Sequence, residues 1–282
     1  MPEQFTVHAN GLDLAVYEWA GEGTPILFVH ATGFHARCWD GVINRLPGCH
    51  AYAVDLRGHG LSDKPAPPYV WREIGEDVRA LGKALSLRGA IAVGHSMGGH
   101  VITYAAAHSP ELFSRLLLID PVILPEAFYV GVLEGDHFAA KRRADWASPD
   151  EMIERFKDRF PFNRWQPDIL RDYCTYGLLL KPDGGYTLAC PPEIESSMYM
   201  NSSAANIYPE IARIEIPVTI MRAGGALDAS ISNMSASPTA PDLASRFQHG
   251  TAIYLPDLTH FIPMEAPELV ADAVRDMLRT AS

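Results

Sequence analysis

The 282-residue chain has only four cysteines, Cys38, Cys49, Cys174 and Cys190, and no two of them form a C-x-x-C pair. That spacing excludes a zinc knuckle and a dithiol redox motif and leaves free thiols as the expected state. Cationic residues are also scarce: 23 Lys and Arg stand against 34 Asp and Glu, a net charge of −11. Such a surface repels phosphate backbones and anionic membranes, so neither nucleic acid nor a membrane is an expected partner. Nowhere is there a run near the roughly 20 consecutive apolar residues of a membrane span. The first ten residues lack the basic start and apolar stretch of a signal peptide, and the expected location is cytoplasmic. No His-Glu-x-x-His or similar cluster has metal spacing, and Arg57-Gly58-His59-Gly60 follows no phosphate-loop pattern. No metal or other cofactor is expected.

What is there reads as a large α/β core. Asn10-Gly11 suits a two-residue type I′ turn, which pairs Ala9 with Leu12, Val7 with Leu14 and Phe5 with Val16, all on one apolar face. Strand-like runs at 25–30, 51–55, 90–93 and 115–120 then alternate with helical spacings, among them Ile74, Val78, Leu81 and Leu85. This alternation argues for a mostly parallel sheet covered on both faces. The rhythm breaks after residue 121. Helix signals such as the capping box Ser148-Pro149-Asp150-Glu151 then dominate until about residue 208. Alternation resumes with strands at 217–222 and 252–255 and a last helix carrying Val270, Val274, Met277 and Leu278. The expected organisation is a core of residues 1–121 and 209–282 with an inserted helical lid at 122–208. The lid segment carries 13 of the 27 aromatic residues, which serve either its own small core or an apolar pocket beneath it. Its triplet Lys141-Arg142-Arg143 reads as a solvated face.

The chemistry centres on Gly94-His95-Ser96-Met97-Gly98, a G-x-S-x-G elbow between the run at 90–93 and a helix marked by Val101, Ile102, Ala105 and Ala106. A strand that reverses into a helix within two residues forces the serine into strained backbone angles and needs glycine neighbours. The first N–H groups of the helix, led by that of Met97, then face a developing negative charge. A serine hydroxyl also needs a base, and the base needs a carboxylate to orient it. His260 lies on a short loop before the last helix, and Asp228 follows the strand at 217–222, giving the chain order Ser, Asp, His. Asp228 is the favoured acid. Asp120, at the end of an earlier core strand, competes with it, and Asp257 is a third choice.

Four stretches carry a resemblance: His30-Ala31-Thr32-Gly33-Phe34-His35, Asp55-Leu56-Arg57-Gly58-His59-Gly60-Leu61-Ser62-Asp63, Gly94-His95-Ser96-Met97-Gly98-Gly99, and His260-Phe261-Ile262-Pro263-Met264-Glu265-Ala266-Pro267-Glu268. On these the chain resembles the α/β-hydrolase superfamily, and within it the capped esterase, lipase and C–C hydrolase group. The resemblance implies a twisted sheet of about eight strands, the triad Ser96, Asp228 and His260, and a second oxyanion N–H from Thr32 beside that of Met97. It also implies a small-molecule ester substrate, small to medium in size and largely apolar, turned over by a cofactor-free monomer or homodimer. Lactone, thioester and C–C hydrolysis and cofactor-free perhydrolysis use the same machinery and stay open. A non-catalytic ligand receptor of the same fold is the alternative of another class.

Overall fold

Strands β1 (Glu3–Ala9) and β2 (Leu12–Trp19) form the expected hairpin, with Ala9 opposite Leu12, Val7 opposite Leu14 and Phe5 opposite Val16. Asn10 and Gly11 turn it with φ of 51° and 75°, the doubly positive backbone of a type I′ turn. The computed structural model describes residues 1–133, 135, 137–225 and 236–280. Strand β3 (Glu22–Val29) is followed by a short helix α1 (Asp40–Ile43), β4 (Cys49–Val54), α2 (Trp71–Ala84), β5 (Ala90–His95), α3 (Met97–His108) and β6 (Phe113–Ile119). The next stretch holds β7 (Asp145–Trp146), α4 (Pro149–Phe156), α5 (Pro167–Tyr176), β8 (Leu178–Leu180), β9 (Tyr186–Leu188), α6 (Pro192–Asn201) and α7 (Tyr208–Ile211). Then come β10 (Val218–Ala223), β11 (Gly250–Leu255), α8 (Ile262–Glu265) and α9 (Pro267–Thr280).

Eight strands form one sheet in the order β1-β2-β4-β3-β5-β6-β10-β11, parallel from β4 onward and antiparallel where β2 pairs with β1 and with β4. Period-two alternation sends successive side chains to opposite faces. Leu27, Val29, Ala90 and Ala92 meet α2 and α3 through Trp71, Ile74, Val101 and Ile102. Ile26, Phe28, Ile91 and Val93 meet α1 and α9 through Val42, Val270 and Val274. With helices on both faces, the central strands read as continuous apolar runs. The parallel strands all end on one side, where their loops collect.

Three short strands, in the order β7-β9-β8, lie in the stretch read as helical. At two or three residues each they are too short for a period to register. A third apolar cluster joins this stretch to the sheet: Trp146, Trp165, Ile169 and Tyr173 pack with Phe34 and Phe261 from the loops after β3 and β11. Among the described residues, no helix is long and apolar enough to cross a membrane.

Candidate active site

Ser96 follows β5 directly, with φ 57° and ψ −119°. That strained conformation requires the flanking glycines to lack side chains. A Cβ on Gly94 would sit 2.5 Å from the Gly98 carbonyl carbon, and one on Gly98 would sit 2.1 Å from the Val29 carbonyl oxygen. The backbone N–H of Ser96 donates to the Ile119 carbonyl at 3.0 Å, tying the turn to the neighbouring strand.

Three side chains then form a relay. Ser96 Oγ lies 2.9 Å from His260 Nε2, and His260 Nδ1 lies 2.7 Å from Asp120 Oδ2. The other carboxylate oxygen, Oδ1, accepts the Ala223 N–H at 2.9 Å and the hydroxyls of Ser237 and Thr239 at 2.6 and 3.3 Å. Asp120 is thus fully buried yet satisfied at both oxygens. The structure places the competing carboxylate, Asp120, at His260 Nδ1. Asp228 itself lies outside the described residues. The physical reason is the strand order, because β6 lies beside β5 and delivers Asp120 next to Ser96. Asp257 is exposed, and its backbone carbonyl accepts from Arg164 at 2.7 Å.

The two residues expected to supply oxyanion donors touch. Thr32 Oγ1 lies 3.3 Å from Met97 Sδ. Among the described residues neither backbone N–H donates to another group of the protein, and the Met97 N–H opens α3. Histidines shape the loop that carries Thr32. His59 Nε2 accepts the Gly33 N–H at 2.9 Å, and His30 Nε2 accepts the Leu56 N–H at 3.0 Å, while their Nδ1 atoms lie 3.0 and 2.7 Å from the carbonyls of Arg57 and Ala31. A ring nitrogen that accepts an N–H carries no proton, so both rings are neutral. Burial agrees, pushing the His59 pKa down to about 3 and that of His30 well below its ordinary value. His95, also held neutral by burial, donates from Nε2 to the His260 carbonyl at 2.8 Å and so fixes the loop that carries His260.

Beside this relay lies a cavity of about 360 Å³. Thr32 and Phe261, the neighbours of the elbow and of His260, stand in its wall with the aromatic rings of Phe34, Phe156, Phe162, Trp165 and Tyr173. Aromatic residues of the 122–208 stretch stand both in its own apolar cluster and in the cavity wall. In the basic triplet Lys141 and Arg143 are exposed, as a solvated face would be, but Arg142 is not. Arg142 turns into the cavity wall, 2.5 Å from Glu195 Oε2 and 3.1 Å from the Tyr173 hydroxyl. Burial disfavours its charge, yet the partners Tyr173 and Glu195 hold its pKa above the ordinary arginine value. Arg143, Arg155 and Arg159 line the same cavity. Sequence reasoning missed Glu195, Tyr173 and these arginines, because nothing in a charged residue on a lid says which way it faces.

A mostly parallel sheet covered by helices, with a strained serine elbow after the fifth strand, is the α/β-hydrolase fold. The chain belongs to the alpha/beta hydrolase family, whose profile matches residues 26–273. It is similar to "Lipase LipV" of Mycobacterium tuberculosis, 27% identical over 95% of this chain and 98% of that one. It is also similar to "2-(acetamidomethylene)succinate hydrolase" of Mesorhizobium japonicum, 26% identical over 92% of this chain and 89% of the relative. Among solved structures, E-2-(acetamidomethylene)succinate hydrolase superposes with a TM-score of 0.77 at 22% identity, over 99% of this chain and all of that one.

Proposed function

We propose that the protein is a serine hydrolase that cleaves carboxylic esters through an acyl-enzyme on Ser96, with residues 122–208 acting as a substrate-selecting lid. The observation that carries this reading is the relay from Ser96 Oγ through His260 to Asp120, with contacts of 2.9 and 2.7 Å. His260 Nε2 takes the Ser96 proton as Oγ attacks the ester carbonyl. Asp120 stabilises the imidazolium that forms. The carbonyl oxygen becomes an oxyanion facing the N–H groups of Met97 and Thr32, donors worth roughly 3 kcal/mol each by mutational loss. His260 then returns the proton to the departing alkoxide, leaving the acyl group on Ser96. Water, deprotonated by the same imidazole, releases the acid and restores the serine.

A receptor of the same fold needs no base within hydrogen-bond reach of a strained serine, so the relay favours the enzyme. The aromatic wall of the cavity supports a small to medium substrate with an apolar portion. Ser96→Ala is expected to abolish turnover of p-nitrophenyl butyrate and labelling by a fluorophosphonate probe. Unchanged turnover in that variant, or a wild-type Ser96 peptide that stays unlabelled, would sink the mechanism.

A further inference from the structure

The charge of the cavity runs against that of the chain. The whole protein carries −11, yet among the described residues the cavity wall holds four arginines and a single acidic residue, Glu195. Two of the four are already engaged. Arg142 is bound to Glu195 at 2.5 Å, and Arg143 lies 2.7 Å from Glu151 and over the Trp146 ring at 4.3 Å. Arg155, on the last turn of α4, and Arg159, just beyond it, are exposed at the mouth, and neither is in an ion pair among the described residues.

Two cations outside any ion pair among the described residues stand at the rim of an aromatic cavity and act over a low-dielectric wall, where field lines concentrate and draw in anions. Deeper in, Arg142 is held in place by Glu195 and Tyr173 through two of its five N–H donors, and the other three make no hydrogen bond among the described residues. A fork fixed in this way suits the planar, paired oxygens of a carboxylate. Glu195 offsets the charge of Arg142 but not that of the rim pair. The described lining therefore carries a net positive charge that an anionic ligand would meet.

We infer that the substrate is an ester carrying an acidic group, with that group lodged in this cavity against Arg142 and drawn in by Arg155 and Arg159, while the aromatic rings hold the apolar stem between it and the scissile carbonyl. The inference rests on the ester-hydrolase reading and adds the charge of the substrate to it. The acidic group sits on either the acyl or the alcohol side.

The test compares kcat/KM at low salt for acidic and neutral esters. On the acyl side the pair is the 4-nitrophenyl monoester of glutaric acid against 4-nitrophenyl valerate. On the alcohol side it is 4-(butyryloxy)benzoate against its methyl ester. At least one acidic ester is expected to exceed its neutral partner about tenfold. The double variant Arg155→Ala, Arg159→Ala is expected to cut that ratio about tenfold, mainly through KM. Raising the salt to about 0.5 M is expected to narrow the ratio in the wild type, since exposed charges are screened. Both side chains are exposed, so a thermal melt matching the wild type accompanies the result. Turnover of the neutral esters with no preference for either acidic one overturns this inference alone, as does a ratio that the double variant leaves unmoved. If no ester is turned over and Ser96 stays unlabelled, the hydrolase reading falls and the inference falls with it.

Discussion

Replacing Asp120 by Asn isolates the role assigned to the carboxylate. Asp120 has a left-handed backbone, φ 41°, which Asn tolerates nearly as well as Asp. The amide has the same shape, and its oxygen can keep the bonds now made to Oδ1 by the Ala223 N–H and the hydroxyls of Ser237 and Thr239. What changes is the side facing His260. There an NH2 group replaces Oδ2, 2.7 Å from Nδ1, and two donors cannot share one bond. The imidazole then moves its proton to Nε2, the atom 2.9 Å from Ser96 Oγ, and no lone pair is left to take the serine proton. Holding the wrong tautomer in a Ser-His-Asp site costs about 10⁴ in kcat, or about 5 kcal/mol of transition-state stabilisation. Asp228→Asn is expected to keep kcat within about threefold. The assay is p-nitrophenyl ester hydrolysis at neutral pH on both variants, with circular dichroism to confirm folding. An Asp120→Asn enzyme retaining more than a tenth of kcat, or a large fall confined to Asp228→Asn, would refute the assignment.

Other perturbations test the scaffold. Gly98→Ala places a methyl 2.1 Å from the Val29 carbonyl, and because backbone cannot rotate aside as a side chain can, a loss of at least about 3 kcal/mol in urea unfolding is expected. Asp77→Ala removes a fully buried carboxylate that pairs with Arg57 and accepts from Asn10; an unpaired buried guanidinium should cost about 3 kcal/mol, and a loss below about 1 kcal/mol would show that Glu73 compensates. Burial lowers the pKa of His59 to about 3 and that of His100 to about 4 from 6.5. Below pH 6.5 the unfolded chain therefore binds protons that the folded one refuses, and each such histidine removes about 1.4 kcal/mol of stability per pH unit down to its folded pKa. Tm should accordingly fall from pH 6.5 toward pH 4, and His100→Gln should flatten that slope by one proton; an unchanged slope would count against a neutral His100.

Much of this protein was legible in the order of its residues. The Asn10-Gly11 hairpin appears in the expected register because a two-residue turn dictates its own pairing. The turn at Ser96 was legible because the elbow is local: two glycines, a strand before and a helix after fix the geometry within five residues. His260 followed from its place on a loop before the last helix. The acid was a different matter. Asp120 and Asp228 both fall between Ser96 and His260 in the chain, so chain order treats them alike, and only the placement of β6 beside β5 brings one carboxylate to Nδ1 of His260. The cavity shows the same limit. Sequence pointed to a lid rich in aromatic residues, but the direction of an arginine depends on what packs around it, and Glu195 and Tyr173, more than thirty residues away along the chain, turn Arg142 inward. Local backbone chemistry determined the strained turn at Ser96, and long-range packing decided which carboxylate meets His260 and the charge of the described cavity wall beside it.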